Sequence, residues 1–307
     1  MSGYVIETRK ITKKYGSLTA LDQVSIHVGR GEIYGLIGDN GAGKTTLLKA
    51  LAGLIWPDHG DVVILGRHEE KALGQSRRQM GIMVEHAGYF PKLSVEKNME
   101  YFRILKGIPG KNRSEDILRL TGLWDRRKSK CGDLSMGMKQ RLGLAIAMIG
   151  EPQILILDEP TNGLDPSGII EFRQLLHRLN EEKNITILLS SHILSELEQT
   201  ATIFGFLNKG KLMEEIPIQT LREKCFDDLI ITVTDPQTYA ALLDRHCSHE
   251  HYTIMPDHTI RLAHPTQGAE VYSKLAADHG ILITGMERHQ QSLENYYMQL
   301  KEDACHA

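Results

Sequence analysis

Residues Gly38-Asp39-Asn40-Gly41-Ala42-Gly43-Lys44-Thr45 fit the pattern G-x-x-x-x-G-K-[ST], and their setting constrains this chain more than any other feature. The apolar stretch Ile33-Tyr34-Gly35-Leu36-Ile37 runs directly into them, and the helix-like Thr46-Leu47-Leu48-Lys49-Ala50-Leu51 follows at once. Strand, glycine loop and helix in that order is the context a phosphate-binding loop requires. Glycines let successive backbone N–H groups approach phosphate oxygens without a Cβ in the way, and the helix start adds positive dipole character. Lys44 is expected to reach the β- and γ-phosphates of a nucleoside triphosphate, and the Thr45 hydroxyl to ligate Mg²⁺.

A chain of 307 residues can bury a full α/β core and carry a second small domain. Lys and Arg number 36 against 39 Asp and Glu, a net charge of -3 with no basic block, so nucleic acid is not an expected partner. Cys131, Cys225, Cys247 and Cys305 are far apart and form no C-x-x-C pair; neither a zinc ribbon nor a disulfide frame is indicated, and a reducing cytoplasm suits them. Met1 to Gly16 carries Glu7, Arg9, Lys10, Lys13 and Lys14 around no apolar core, so a secretory signal is not expected. The longest nearly uncharged apolar segment, Leu142 to Gly150, falls short of the roughly 20 residues that span a bilayer.

Short apolar runs alternate with longer stretches of helical period over the first two-thirds, which predicts a parallel sheet wrapped by helices. The strand candidates are Glu32–Ile37, Asp61–Leu65, Met80–Val84, Ile154–Leu157, Thr186–Ser190 and Thr202–Leu207. Between the third and fourth, Ser94 to Gly150 is rich in helix formers and reads as an inserted helical subdomain, about 89–150. After Gly210 the spacing predicts helix Gln219–Lys224, strand Leu229–Thr234, helix Tyr239–His246, strands Tyr252–Met255 and Thr259–Ala263, helix Glu270–Asp278, strand Ile281–Thr284 and helix Leu293–Lys301. The middle of that series is β-α-β-β-α-β, the order of a ferredoxin-like split βαβ unit. Two domains are expected, 1–216 and an α+β accessory domain at 217–307.

Ile154-Leu155-Ile156-Leu157 has no polar break, as a strand buried on both faces requires, and it ends in Asp158-Glu159. Carboxyl ends of strands form the ligand crevice of open α/β sheets. Asp158 is therefore expected at the metal, and Glu159, one residue further out, at the attacking water. Ile185–Leu189 runs through Ser190-Ser191 into His192, whose imidazole would lie on the same crevice edge. In Leu134-Ser135-Met136-Gly137-Met138-Lys139-Gln140-Arg141, a Ser at a helix start followed by Gly leaves hydroxyl and backbone N–H groups accessible to an anion, as many capped helices do.

Taken in order, the phosphate loop, Leu134-Ser135-x-Gly137, Asp158-Glu159-Pro160, Gly163-Leu164-Asp165-Pro166 and His192 resemble the nucleotide-binding subunit of ABC transporters over roughly Val5 to Glu215. The resemblance implies a P-loop NTPase fold with a parallel-rich sheet core, an antiparallel β N-terminal part and a helical subdomain. It implies ATP and Mg²⁺ as ligands, with the phosphate loop at Gly38, Asp39, Asn40, Gly41, Ala42, Gly43, Lys44, Thr45 and Thr46, and Tyr15 stacked on adenine. It further implies a signature at Leu134–Gln140 with Ser135 and Gly137 on the anion, Asp158 as Walker B, Glu159 as catalytic base, a D-loop ending in Asp165 and His192 as switch histidine. Two such domains face each other in this family, identical or related, each closing its signature over the other's ATP and driving an integral membrane permease from the cytoplasmic face of the plasma membrane.

Several positions depart from the family's pattern. Met136-Gly137-Met138 stands where Gly-Gly-Gln is usual, and Glu85 stands where a loop glutamine is usual, within Met83-Val84-Glu85-His86-Ala87-Gly88-Tyr89-Phe90-Pro91. Glu85 would still reach a metal-bound water, with added sensitivity to pH or cation. These segments, with Ser292-Leu293-Glu294-Asn295-Tyr296-Tyr297, look most like bacitracin-type and lantibiotic-immunity-type exporters. Export of a peptide antibiotic or other amphipathic compound is the expected role. The alternatives are a soluble ABC-type ATPase acting on nucleic acid or ribosomes, and a nucleotide-controlled regulatory protein. His246-Cys247-Ser248-His249-Glu250-His251, followed by His258 and His264, reads as a solvated loop rather than a metal site, and Met136, Met138 and Met148 read as packing residues.

Overall fold

A computed structural model describes the chain except residues 1, 2, 86, 87, 111, 226, 248, 249, 258, 264, 291 and 307, and except the side chains of 112, 227, 290 and 304–306. It divides into two units, Met1–Ile218 and Gln219–Ala307.

The first unit opens with a strand the apolar runs do not reveal. β1 (Tyr4–Tyr15) pairs antiparallel with β2 (Leu18–Val24) and β3 (His27–Gly29). Lys10 and Gln23 take left-handed backbone (φ 48 and 50), and the pairing slips beside Ile11, so the alternation of buried and exposed residues is interrupted. Next come β4 (Ile33–Ile37), α1 (Lys44–Ala52), β5 (His59–Ile64), which returns to pair with β1, α2 (Glu70–Arg77) and β6 (Met80–Met83). Helices α3 (Val95–Leu105), α4 (Asn112–Leu120) and α5 (Met136–Met148) follow, and then β7 (Ile154–Leu157), α6 (Pro166–Lys183), β8 (Thr186–Ser191), α7 (Leu194–Glu198), β9 (Ile203–Asn208) and β10 (Lys211–Pro217).

The main sheet has the order β10-β9-β4-β8-β7-β6, parallel throughout except for the edge strand β10. Every residue of β4, β7 and β8 is buried, which explains their unbroken apolar character, and all three end on one edge, where Gly38, Asp158 and His192 follow. Helices α3, α4 and α5 have a core of their own, including Val95, Met99, Leu118, Leu142 and Ile146. Within it, buried Asn98 accepts from the Phe90 N–H at 2.7 Å and donates to the Phe90 and Ser94 carbonyls and to Cys131 Sγ.

Helix α8 (Ile218–Lys224) begins at the last residue of the first unit, and the second unit continues with β11 (Asp227–Val233), α9 (Pro236–His246), β12 (His251–Ile254), β13 (Thr259–Ala263), α10 (Ala269–Asp278), β14 (Ile283–Gln290) and α11 (Leu293–His306). Its sheet is antiparallel with order β12-β13-β11-β14, the order of a split βαβ ferredoxin-like unit. The loop expected to be solvated after α9 is partly core. Cys247 is buried among Tyr239, Leu243 and Leu262, and burial pushes its thiol pKa up. His249, His258 and His264 of the candidate metal cluster lie outside the described residues; among the described ones no group of three or more His, Cys, Asp or Glu gathers. No helix among the described residues is long and apolar enough to cross a membrane.

Candidate functional site

The cleft begins where β4 stops. Gly38 cannot be replaced without collision, because a Cβ there would lie 2.5 Å from the Leu207 carbonyl oxygen, and Gly43 takes φ 108 with the same clearance to Ala20 O. Gly43 is also the N-cap of α1 and offers no side chain to it, while the first i→i−4 bond is Leu47 N–H to Gly43 O. The amides of Lys44, Thr45 and Thr46 are therefore left for an anion. The C-terminal end of α1 is held by Arg77, which donates to the Leu51 and Ala50 carbonyls.

Lys44 is buried, and its ammonium donates to Gly38 O at 2.7 Å and Asp39 O at 3.3 Å and pairs with Glu159 Oε1 at 3.1 Å. The other oxygen of Glu159 meets His192 Nδ1 at 2.7 Å. Both carboxylate oxygens are thus held, one from the phosphate loop and one from the end of β8. Glu159 itself has φ 46, a backbone state that costs a non-glycine residue about 1 kcal/mol and concentrates at functional sites. Beside it, the Thr45 hydroxyl donates to Asp158 Oδ2 at 2.9 Å. Tyr15 ends β1, 48% exposed, with Lys13 Nζ 5.6 Å from its ring centre.

These groups border a cavity of about 690 Å³ lined by Tyr15, Asp39, Asn40, Gly41, Gly43, Lys44, Thr45, Thr46, Glu159 and His192. Gly38 and Ala42 lie behind that surface: Gly38 gives its carbonyl to Lys44, and Ala42 O accepts from Gly210 N–H. A second cavity of about 870 Å³ shares Thr45, Glu159 and Asn162 with the first and extends past Asp158 and Glu85 to Met136, Lys139 and Gln140.

The sequence pattern of the ABC transporter family matches residues 21–162. The chain is 40% identical to the bacitracin transport ATP-binding protein BcrA of Bacillus licheniformis over 96% of its own length and 97% of that protein's. It belongs to the ABC transporter ATP-binding family. It is also 38% identical to the lantibiotic transport ATP-binding protein SrtF of Streptococcus pyogenes, over 69% of this chain and 90% of that protein. A dimeric ATP-binding cassette solved in a post-hydrolysis state with ADP and Pi superposes with a TM-score of 0.63 at 26% identity, covering 69% of this chain and 98% of that one.

This ABC subunit accordingly binds nucleotide and hydrolyses ATP in the service of transport. Three of the sequence-predicted residues, Ser135, Gly137 and Asp165, line neither cavity. Ser135 is exposed and caps α5, accepting from Met138 N–H at 3.3 Å, which leaves its O–H to donate elsewhere. Gly137 follows in the first turn of α5. Asp165 is exposed and caps α6; the Ser167 hydroxyl and then the Gly168 N–H hold its carboxyl below the usual range. Glu85 lines the second cavity with Thr45 and Asp158, but its carboxylate is paired with Lys49 Nζ at 2.6 Å. Of the three methionines expected to pack, Met148 is buried and Met138 lies against the helical core, whereas Met136 is 50% exposed.

Residues to which the sequence pattern gave no role also lie at these cavities and beside their carboxylates. Ser190 donates to Asp158 Oδ1 at 2.7 Å and accepts from Glu159 N–H at 3.0 Å, joining the two carboxylate residues to the adjacent strand. Asn162 borders both cavities, and Lys209 adds a cation to the first. Ser190 is visible in the sequence as the polar end of an apolar run, but only the parallel pairing of β7 with β8 aims it at Asp158.

Proposed function

We propose that this chain is the ATP-hydrolysing subunit of an exporter for bacitracin-like or lantibiotic-like peptide antibiotics. It would act at the cytoplasmic face of the plasma membrane through a separate integral membrane permease. The observation that carries the ATPase chemistry is the double hold on Glu159, by Lys44 at 3.1 Å and His192 at 2.7 Å, at the floor of the phosphate-loop cavity. The cargo class is supported by the near full-length similarity to a bacitracin transport ATP-binding protein.

In this reading the loop Gly38–Thr46 cradles the triphosphate, Tyr15 stacks on the adenine and Lys44 offsets charge on the transferred phosphoryl group. Glu159 orients or deprotonates the attacking water, and His192 fixes the carboxylate and the γ-phosphate relative to each other. The Thr45 hydroxyl beside the Asp158 carboxylate is a small all-oxygen donor set, which fits Mg²⁺ with its remaining positions filled by water and phosphate. Bound there, Mg²⁺ would neutralise charge between the β- and γ-phosphates. Glu85 would approach that position only by leaving Lys49. Ser135, Gly137 and Asp165 would serve the nucleotide of a second copy or a related subunit, since in this chain they face solvent or the rim rather than the phosphate-loop cavity.

The test is expression in a bacitracin-sensitive bacterium together with the neighbouring permease genes. Resistance that rises with the intact chain and vanishes with Glu159→Gln is the expected result. Equal sensitivity with both, while the purified intact chain hydrolyses ATP, would remove the peptide-export reading and leave the ATPase standing.

A further inference from the structure

The turn that carries Glu159 is anchored at several points. Asn162 N–H donates to Glu159 O, and Leu164 N–H donates to Thr161 O, both at 3.1 Å. Ser190 accepts from the Glu159 N–H, and the Thr161 hydroxyl donates to Glu196 Oε2 at 2.6 Å. The last two of these anchors come from β8 and α7. The remaining one comes from α5: a Cβ placed on Gly163 would lie 3.5 Å from Met136 Cε, and one placed on Gly137 would lie 3.7 Å from Leu164 Cδ2. Each glycine leaves a methyl-sized space before the facing side chain, so the first turn of α5 and the turn after Glu159 face each other through two reciprocal side chain–glycine pairs.

The chemistry of position 136 accounts for this. The usual signature has glycine there and could not reach toward this turn, whereas methionine is long, flexible and adapts to an irregular surface. It does so here although half exposed, at the first position of α5, where burial does not demand an apolar residue. Met136 also lines the cavity that Asp158, Glu159 and Asn162 line from the other side. Gly163 has φ 79 and presents bare backbone to the thioether.

We infer that Met136 is a positioning residue for hydrolysis: its side chain, facing Gly163 across a methyl-sized space, limits how far the turn from Glu159 to Asp165 can move from the spacing the attacking water requires, and links α5 to Glu159. The inference rests on the assignment of Glu159 as the base. Two turns held by packing can shift by a fraction of an ångström when the packing is lost, and misplacement of that order is costly to a reaction that depends on near-attack geometry.

The experiment compares Met136→Ala, which keeps a good helix former at the start of α5, with Met136→Leu, which keeps the volume, in the purified full chain. Met136→Ala is expected to lower kcat for ATP about tenfold with KM and the affinity for a fluorescent ATP analogue unchanged, the signature of an interaction expressed in the transition state. Met136→Leu should restore kcat to within about twofold. Amide exchange at residues 161–165 should quicken in Met136→Ala alone. Leu164→Ala should resemble Met136→Ala, and the double variant should lose less than the product of the two. An unchanged kcat in Met136→Ala, a loss in Met136→Leu equal to that of Met136→Ala, or a loss of affinity at full kcat would each overturn the inference. Glu159→Gln measured in parallel separates the two ideas: if it alone retains turnover, the assignment of the base is wrong; if it loses turnover and Met136→Ala does not, only the role of Met136 falls.

Discussion

The Ser190 hydroxyl donates to Asp158 Oδ1 at 2.7 Å while accepting the N–H of the residue that follows, Glu159. One hydroxyl on β8 thereby fixes the end of β7 at the point where its carboxylates leave the sheet. Asp158 meets Thr45 through its other oxygen, so the chain of contacts runs from the phosphate loop to β8 without a gap.

Ser190→Ala removes this bridge from a fully buried position and leaves the Glu159 N–H and one Asp158 oxygen without their partner. A loss of about 2 kcal/mol in stability is expected. A fall in kcat of roughly tenfold is expected with it, because Glu159 is no longer pinned. Thermal unfolding and steady-state ATPase rates on the same preparation check both; a stability loss with unchanged kcat would show the bridge to be structural only.

Asn98 satisfies the Phe90 N–H and carbonyl and reaches the Cys131 thiol from a completely buried site. Asn98→Ala is expected to destabilise the first unit by about 2–3 kcal/mol. Urea unfolding measures this; an unfolding midpoint equal to that of the intact chain would contradict the account.

Tyr34 predicts a response to alkali. It is fully buried in β4 and donates to Glu215 Oε1 at 2.9 Å; burial first, and the Glu215 charge second, raise its phenol pKa well above the ordinary value. The folded chain therefore holds this proton more tightly than the unfolded chain. The resulting stability is fully present below about pH 10, the ordinary tyrosine value, and is lost as pH rises toward the folded value. Tyr34→Phe should be less stable near pH 7 by about 1 kcal/mol, while its stability should decline less steeply above pH 10. Parallel slopes for the two proteins between pH 9 and 11 would rule this out.

The sequence carried the parts of the fold that are written locally. Ile154–Leu157 and Thr259–Ala263 were read with their observed bounds, the first because it is apolar throughout. The β-α-β-β-α-β order of the second unit was legible because each turn separates runs of different period. β1 and β2 escaped because Lys10 and Gln23 break their alternation, and β10 because Lys211-Leu212-Met213-Glu214-Glu215 is a polar edge strand held by β9. β14 extends to Gln290 rather than stopping at Thr284 because the polar residues Glu287, Arg288 and His289 are carried by pairing with β11. Within the site, motif spacing named Lys44, Thr45, Asp158, Glu159 and His192, but the bridge from Ser190 and the capture of Glu85 by Lys49 join residues 32 and 36 positions apart, where local pattern is silent.

The most direct test of the account is Glu159→Gln in the full chain, with nucleotide binding, turnover and sedimentation measured on one sample in ATP and Mg²⁺. The account predicts ATP affinity within a fewfold of the intact chain, turnover lower by at least about a hundredfold, and an ATP-dependent dimer that disappears when Ser135→Ala and Gly137→Asp are added. Turnover equal to that of the intact chain, or a protein that stays monomeric with ATP enclosed, would contradict it.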